Sequence, residues 1–74
     1  MADPQVDPRK ILGKFVRQKR VQLRLTQEQL AEAADLHWTY ISGIERGVRN
    51  VSIVNLVHIA RALKVRVRDL VGEL

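Results

Sequence analysis

The chain of 74 residues contains no cysteine, so it carries neither a disulfide framework nor a thiolate metal site. His37 and His58 are its two histidines, and their separation gives no metal-ligand spacing. No metal and no cofactor are therefore expected. Both prolines, Pro4 and Pro8, stand near the start, and none follows to interrupt a helix. No apolar run approaches the ~18 residues of a membrane span. No charged-then-apolar export signal opens the chain, so no membrane partner is expected and the expected location is the cytoplasm. No strand-like alternation, internal repeat or low-complexity tract is visible. There is no nucleophile–base set, phosphate loop or metal cluster, so an enzyme is not expected. With only 74 residues, no separate sensor domain and no small-molecule ligand are expected. A single domain of this size buries only roughly 60% of its unfolded surface, which makes dimerisation the obvious source of further burial.

What the chain does have is positive charge. Thirteen Lys and Arg against eight Asp and Glu give a net charge of +5. Seven of the thirteen basic residues fall between Arg9 and Arg24. A strongly basic small domain suits a nucleic acid, although basic segments also suit anionic membranes.

Residues 1–7 are polar and aperiodic and read as a flexible tail, with one helical domain expected over residues 8–74. Asp7 followed by Pro8 reads as an N-cap and a first-turn proline. Helix 1 is expected from about Pro8 to Leu23, with Leu12, Phe15, Val16 and Leu23 on one stripe and Ile11 at its border. Thr26 with Gln29 three residues on is a capping-box pattern that starts helix 2, whose Leu30, Ala31 and Ala34 face inward. Asp35 and Leu36 form a turn in which Asp is one of the few residues that tolerate a left-handed backbone. Helix 3 is expected from about His37 to Arg46, closed by Gly47. After a loop at Val48–Val51, Ser52 caps helix 4, whose stripe reads Ile53, Leu56, Val57, Ala60 and Leu63. A short last helix, from about Val67 to Gly72, carries Leu70 and Val71.

Helix 3 has two distinct sides. With about 100° per residue and Ile41 set at zero, Ile44 falls at about 300° and Glu45 at about 40°, facing inward. Thr39, Gly43 and Arg46 lie opposite, with Ser42 at the edge and Trp38 and Tyr40 on the flanks. The outward side is thus short, polar and free of acids. A helix lying in the major groove requires this, because phosphates flank it. Thr, Ser and Arg can all donate to base edges, and a Thr methyl can touch thymine.

At these residues the chain resembles a known family. Gln27 to Arg46 is similar to the helix-turn-helix of Cro and the lambdoid phage repressors, the Xre-like group. The match includes Gln27, Leu30, Ala31, Leu36, Ile41, Ser42, Ile44, Glu45 and Gly47. It extends from L-G-K-F-V-R-Q-K-R in helix 1 to the closing A-R-A-L-K-V-R-V-R-D-L. The segment T-Y-I-S-G-I-E-R-G-V-R-N is especially similar to controller proteins of bacterial restriction–modification systems. The resemblance implies an all-α, compact five-helix, lambda-repressor-like domain with its helix-turn-helix at helices 2 and 3. It implies base-reading roles for Trp38, Thr39, Ser42 and Arg46. Gln27, Tyr40, Arg49 and Asn50 would contact phosphate or groove edges, and Arg20 with Glu45 would form a structural salt bridge between helices 1 and 3. Two positions depart from the family: Asp35 stands where Gly is usual, and Trp38 where a long polar or basic side chain is common. Trp38 would either stack on sugar or thymine methyl groups or pack on its own protein.

The function implied is a sequence-specific, double-stranded-DNA-binding transcriptional regulator. It would occupy a near-palindromic operator as a homodimer and control a restriction–modification operon and its own gene. In a bacterium it would associate with the nucleoid. Glu28 and Glu32, one turn apart on helix 2, form either a solvated face or a contact for RNA polymerase. Val54, Val71 and Leu74 are the candidate dimer seam. The rival readings are an antitoxin that binds a toxin protein and autoregulates, and a protein-interaction module that keeps the fold alone.

Overall fold

The computed structural model describes residues 5–74 and shows five α-helices and no strand among them. They are α1 (Pro8–Gln22), α2 (Gln27–Ala34), α3 (Trp38–Glu45), α4 (Ile53–Ala62) and α5 (Val67–Val71). Residues 1–4 of the expected tail lie outside the described residues, and Gln5 and Val6 form a turn and bend leading into Asp7. The Asp7 carboxylate accepts from the Arg9 backbone N–H at 2.9 Å and pairs with the Arg9 guanidinium at 2.7 Å. Those bonds hold the Asp7 carboxyl below its ordinary titration range.

Three of the helices, α1, α2 and α4, start where a short polar side chain takes up a free N–H group. Thr26 Oγ1 accepts from Gln29 N–H while Gln29 Oε1 accepts from Thr26 N–H, a reciprocal pair at 3.0 and 2.8 Å. Ser52 Oγ accepts from Asn55 N–H at 3.1 Å. Helix endings follow one rule. After α1, α2, α3 and α4 the chain passes through a left-handed residue, respectively Arg24, Asp35, Gly47 and Lys64. In each case the following N–H returns to a carbonyl five residues back: Leu25 to Arg20, Leu36 to Ala31, Val48 to Gly43 and Val65 to Ala60. This is the Schellman pattern, and only one of the four uses glycine. The sequence points to left-handed residues at Asp35 and Gly47; Arg24 and Lys64 are additional.

The core is built from Leu12, Val16, Leu30, Ala31, Ala34, Ile41, Ile44, Ile59, Ala60, Leu63 and Leu70. α3 packs against both α1 and α2, α2 rests on α4, and α5 closes back on α1 and α4. Two sequence expectations are corrected here. Ile53, placed on the core stripe of helix 4, is 65% exposed, because it opens α4 before the helix reaches the other layers. The inward line is carried instead by Leu56, Ile59, Ala60 and Leu63, with Ile59 fully buried. Helix 3 is also shorter than expected: His37 is its N-cap and Arg46 its C-cap. No helix of the described residues is long and apolar enough to cross a membrane.

Candidate nucleic-acid interface

α3 is held from behind by its C-terminal end. Gly13 of α1 faces that end so closely that an added Cβ would fall on the Ile44 carbonyl oxygen and within 2.8 Å of that of Glu45. Only glycine permits this helix crossing. Beside it, Arg20 donates through Nε and Nη2 to the Glu45 carboxylate at 2.7 and 3.0 Å, and through Nη1 to the Leu25 carbonyl at 2.8 Å. The Glu45 side chain is only 4% exposed and that of Arg20 13%. Hydrogen bonding to Glu45 pushes the Arg20 guanidinium above its ordinary value, so it stays charged. Gln27 Nε2 gives Glu45 a third bond at 3.1 Å. One carboxylate thus joins the end of α1, the start of α2 and the end of α3.

The outward side of α3 is open. Thr39 and Arg46 are exposed, Ser42 is half-buried, and Trp38 is 48% exposed. The Trp38 ring lies beside the His37 imidazole, with centroids 6.4 Å apart and planes at 27°. Arg46 engages no carboxylate among the described residues. Gly43, expected on the outward face, is buried beneath Arg49, whose Cγ would lie 2.7 Å from an added Cβ. Arg49 folds back because Gly43 leaves room and the Tyr40 ring attracts its guanidinium, whose central carbon is 5.6 Å from the ring centroid. The Tyr40 hydroxyl in turn accepts from Asn55 Nδ2 at 3.1 Å. Arg49 and Asn50 are exposed on the loop after α3, and Gln27 is half-buried.

The remaining candidate residues lie elsewhere. Glu28 and Glu32 are exposed on α2. Val54 is 60% and Leu74 47% exposed, while Val71 is half-buried. Leu74 lines a shallow groove with Val51 and Leu56, close in sequence to the exposed Ile53 and Val54. His58 is half-buried, and no cluster of metal-ligating side chains occurs among the described residues. Sequence reading missed Gly13, the Gln27–Glu45 bond and the Asn55–Tyr40 bond. A glycine within a strong helical stripe, seven residues before Arg20, was the available signal for the first.

The whole arrangement, a short helix fixed from behind and bare in front, is that of a helix-turn-helix. The helix-turn-helix family model matches residues 16–70. The control protein C.BamHI of Bacillus amyloliquefaciens is 51% identical over 63 residues, covering 84% of this chain and 78% of that protein. Among solved structures, the restriction–modification controller protein C.AhdI of Aeromonas hydrophila superposes with a TM-score of 0.82 at 40% identity, covering 84% of this chain and 94% of that one. The biofilm master regulator SinR, solved in complex with DNA, superposes at 0.77 with 33% identity, over 80% of this chain and 95% of that one. The chain belongs to the Xre-like helix-turn-helix family. It is a DNA-binding transcriptional regulator, similar to controller proteins of restriction–modification systems.

Proposed function

We propose that this regulator binds a near-palindromic operator as a homodimer and controls a restriction–modification operon together with its own gene. The observation that carries the reading is the front of α3. It is a strip of small polar residues, with Arg46 free beside it and no acid within it, held by a buried ion pair at its back. Trp38, Thr39, Ser42 and Arg46 meet base edges. Gln27, Tyr40, Arg49 and Asn50 meet phosphates or groove edges and set the register. Gln27 already bonds Glu45, so a phosphate contact from it also steadies the α2–α3 joint.

The dimer forms through the apolar surface of Val54, Val71 and Leu74, which places two copies of α3 about one DNA turn, ~34 Å, apart. Glu28 and Glu32 remain exposed on α2, free of ion pairs among the described residues, and offer RNA polymerase an acidic contact. The site of action is the bacterial cytoplasm, on the nucleoid.

Trp38 fluorescence provides the test. The protein is titrated with the DNA upstream of its own gene and with a scrambled duplex, over a salt series. Saturable binding to the upstream DNA alone, weakening steeply with salt, is the expected result. Equal, weak binding to both duplexes would sink the autoregulatory reading.

A further inference from the structure

The hydrogen bonds at the front end of α3 give Thr39 a definite polarity. The Thr39 backbone N–H donates to His37 Nδ1 at 3.2 Å. A backbone N–H can only donate, so this bond forms in the tautomer that carries its proton on Nε2. Thr39 Oγ1 lies 2.8 Å from the same nitrogen. In that tautomer the single Nδ1 lone pair is shared, and the Thr39 hydroxyl donates to it beside the backbone N–H. Its one proton is then engaged within the protein, and only lone pairs face outward. The Trp38 ring lies beside the imidazole.

We propose that His37 is a positioning residue that makes Thr39 a hydrogen-bond acceptor toward DNA. Thr39 then selects a base with a major-groove amino group, adenine or cytosine. Guanine and thymine present only acceptors there, and the pairing leaves lone pair against lone pair. This rests on the proposal above that Thr39 faces a base. His37 reaches no base in this scheme; it acts through the hydroxyl it holds. A residue that only capped the helix would change stability and leave base preference alone.

The test is selection of binding sites from a randomised duplex pool by the wild type, Thr39→Val, His37→Gly and His37→Asn. Glycine is an acceptable N-cap residue, so His37→Gly removes the acceptor with little loss of stability. Asparagine restores a side-chain oxygen that can accept from both Thr39 groups. Circular dichroism checks that each variant is folded. The expected result is one position per half-site where the wild type prefers adenine or cytosine by roughly two- to tenfold, the worth of one neutral hydrogen bond. Thr39→Val flattens that preference, His37→Gly admits guanine and thymine, and His37→Asn restores it.

Three results would overturn the proposal. A wild-type preference for guanine or thymine at the Thr39-sensitive position would show Thr39 donating, and this arm does not depend on any His37 variant folding. An unchanged profile in His37→Gly, with Thr39→Val still effective, would leave His37 a cap only. No effect of Thr39→Val at any position would remove the base contact itself and the present proposal with it.

Discussion

The two ends of α3 are built in opposite ways. At the C-terminal end, Glu45 is buried, triply hydrogen-bonded and crossed by a glycine of α1. At the N-terminal end, His37, Trp38 and Thr39 are all exposed, and the polar contacts made are to one another. The difference separates two tasks within one helix of eight residues. One end fixes where the helix sits, and the other presents changeable side chains. Substitutions at the first should unfold the domain, and those at the second should alter recognition without touching stability.

The sharpest way to break this contrast is at Glu45. Glu45→Ala leaves the Arg20 guanidinium buried and unpaired, and urea unfolding should show a loss of about 3–5 kcal/mol. Replacing both partners by apolar residues should recover part of it, though the Leu25 carbonyl still loses its Arg20 donor. Gly13→Ala acts on the same end through backbone. The methyl group meets carbonyl oxygens that cannot rotate away, and a loss of about 1–3 kcal/mol is expected in the same measurement. At the other end, Thr39→Ala should cost about 0.5–1.5 kcal/mol of discrimination at one base pair in a competition assay. Its thermal midpoint should stay close to that of the wild type; a large drop would blur the division between the ends.

The left-handed residues that follow α2 and α4 belong to neither end of α3 and should respond in the opposite direction. Lys64→Gly and Asp35→Gly both relieve a left-handed residue, at φ 59° and 57° respectively. Each should raise stability by up to about 1 kcal/mol, Asp35→Gly by less because Asp tolerates this region. The smallest effect is expected at Arg49. Arg49→Ala should lower the slope of log K against log salt by about 1 and weaken binding uniformly across sequences.

The sequence made the helices legible because their signals are local. Asp7–Pro8, Thr26–Gln29 and Ser52 each mark a start, and periodicity marks the inner faces. Glu45 could be turned inward from the helical wheel alone, since a single angle decides it. Ile53 was misplaced for the complementary reason. Periodicity shows which side of a helix a residue occupies, but not whether a neighbouring helix reaches that far along the axis. Gly43 was misread because the outward side of an isolated helix says nothing of a later loop. Arg49 returns over it from six residues downstream. The hydrogen bonds of Tyr40 with Asn55 and of Gln27 with Glu45 join separate helices and have no periodic signature. Left-handed Arg24 and Lys64 did leave a trace. In all four endings the left-handed residue is followed by Leu or Val, the position whose side chain folds back on the helix.

Those four endings bear on how the chain reaches its fold. Each stop is written within six consecutive residues, and the connections between α1 and α2, α2 and α3, and α4 and α5 run to only four, three and four residues. Little loop entropy is lost in bringing one helix to the next. Chains organised in this way fall among those that fold in microseconds to milliseconds. A newly made copy of this regulator would then be limited by its own synthesis, and hardly at all by folding.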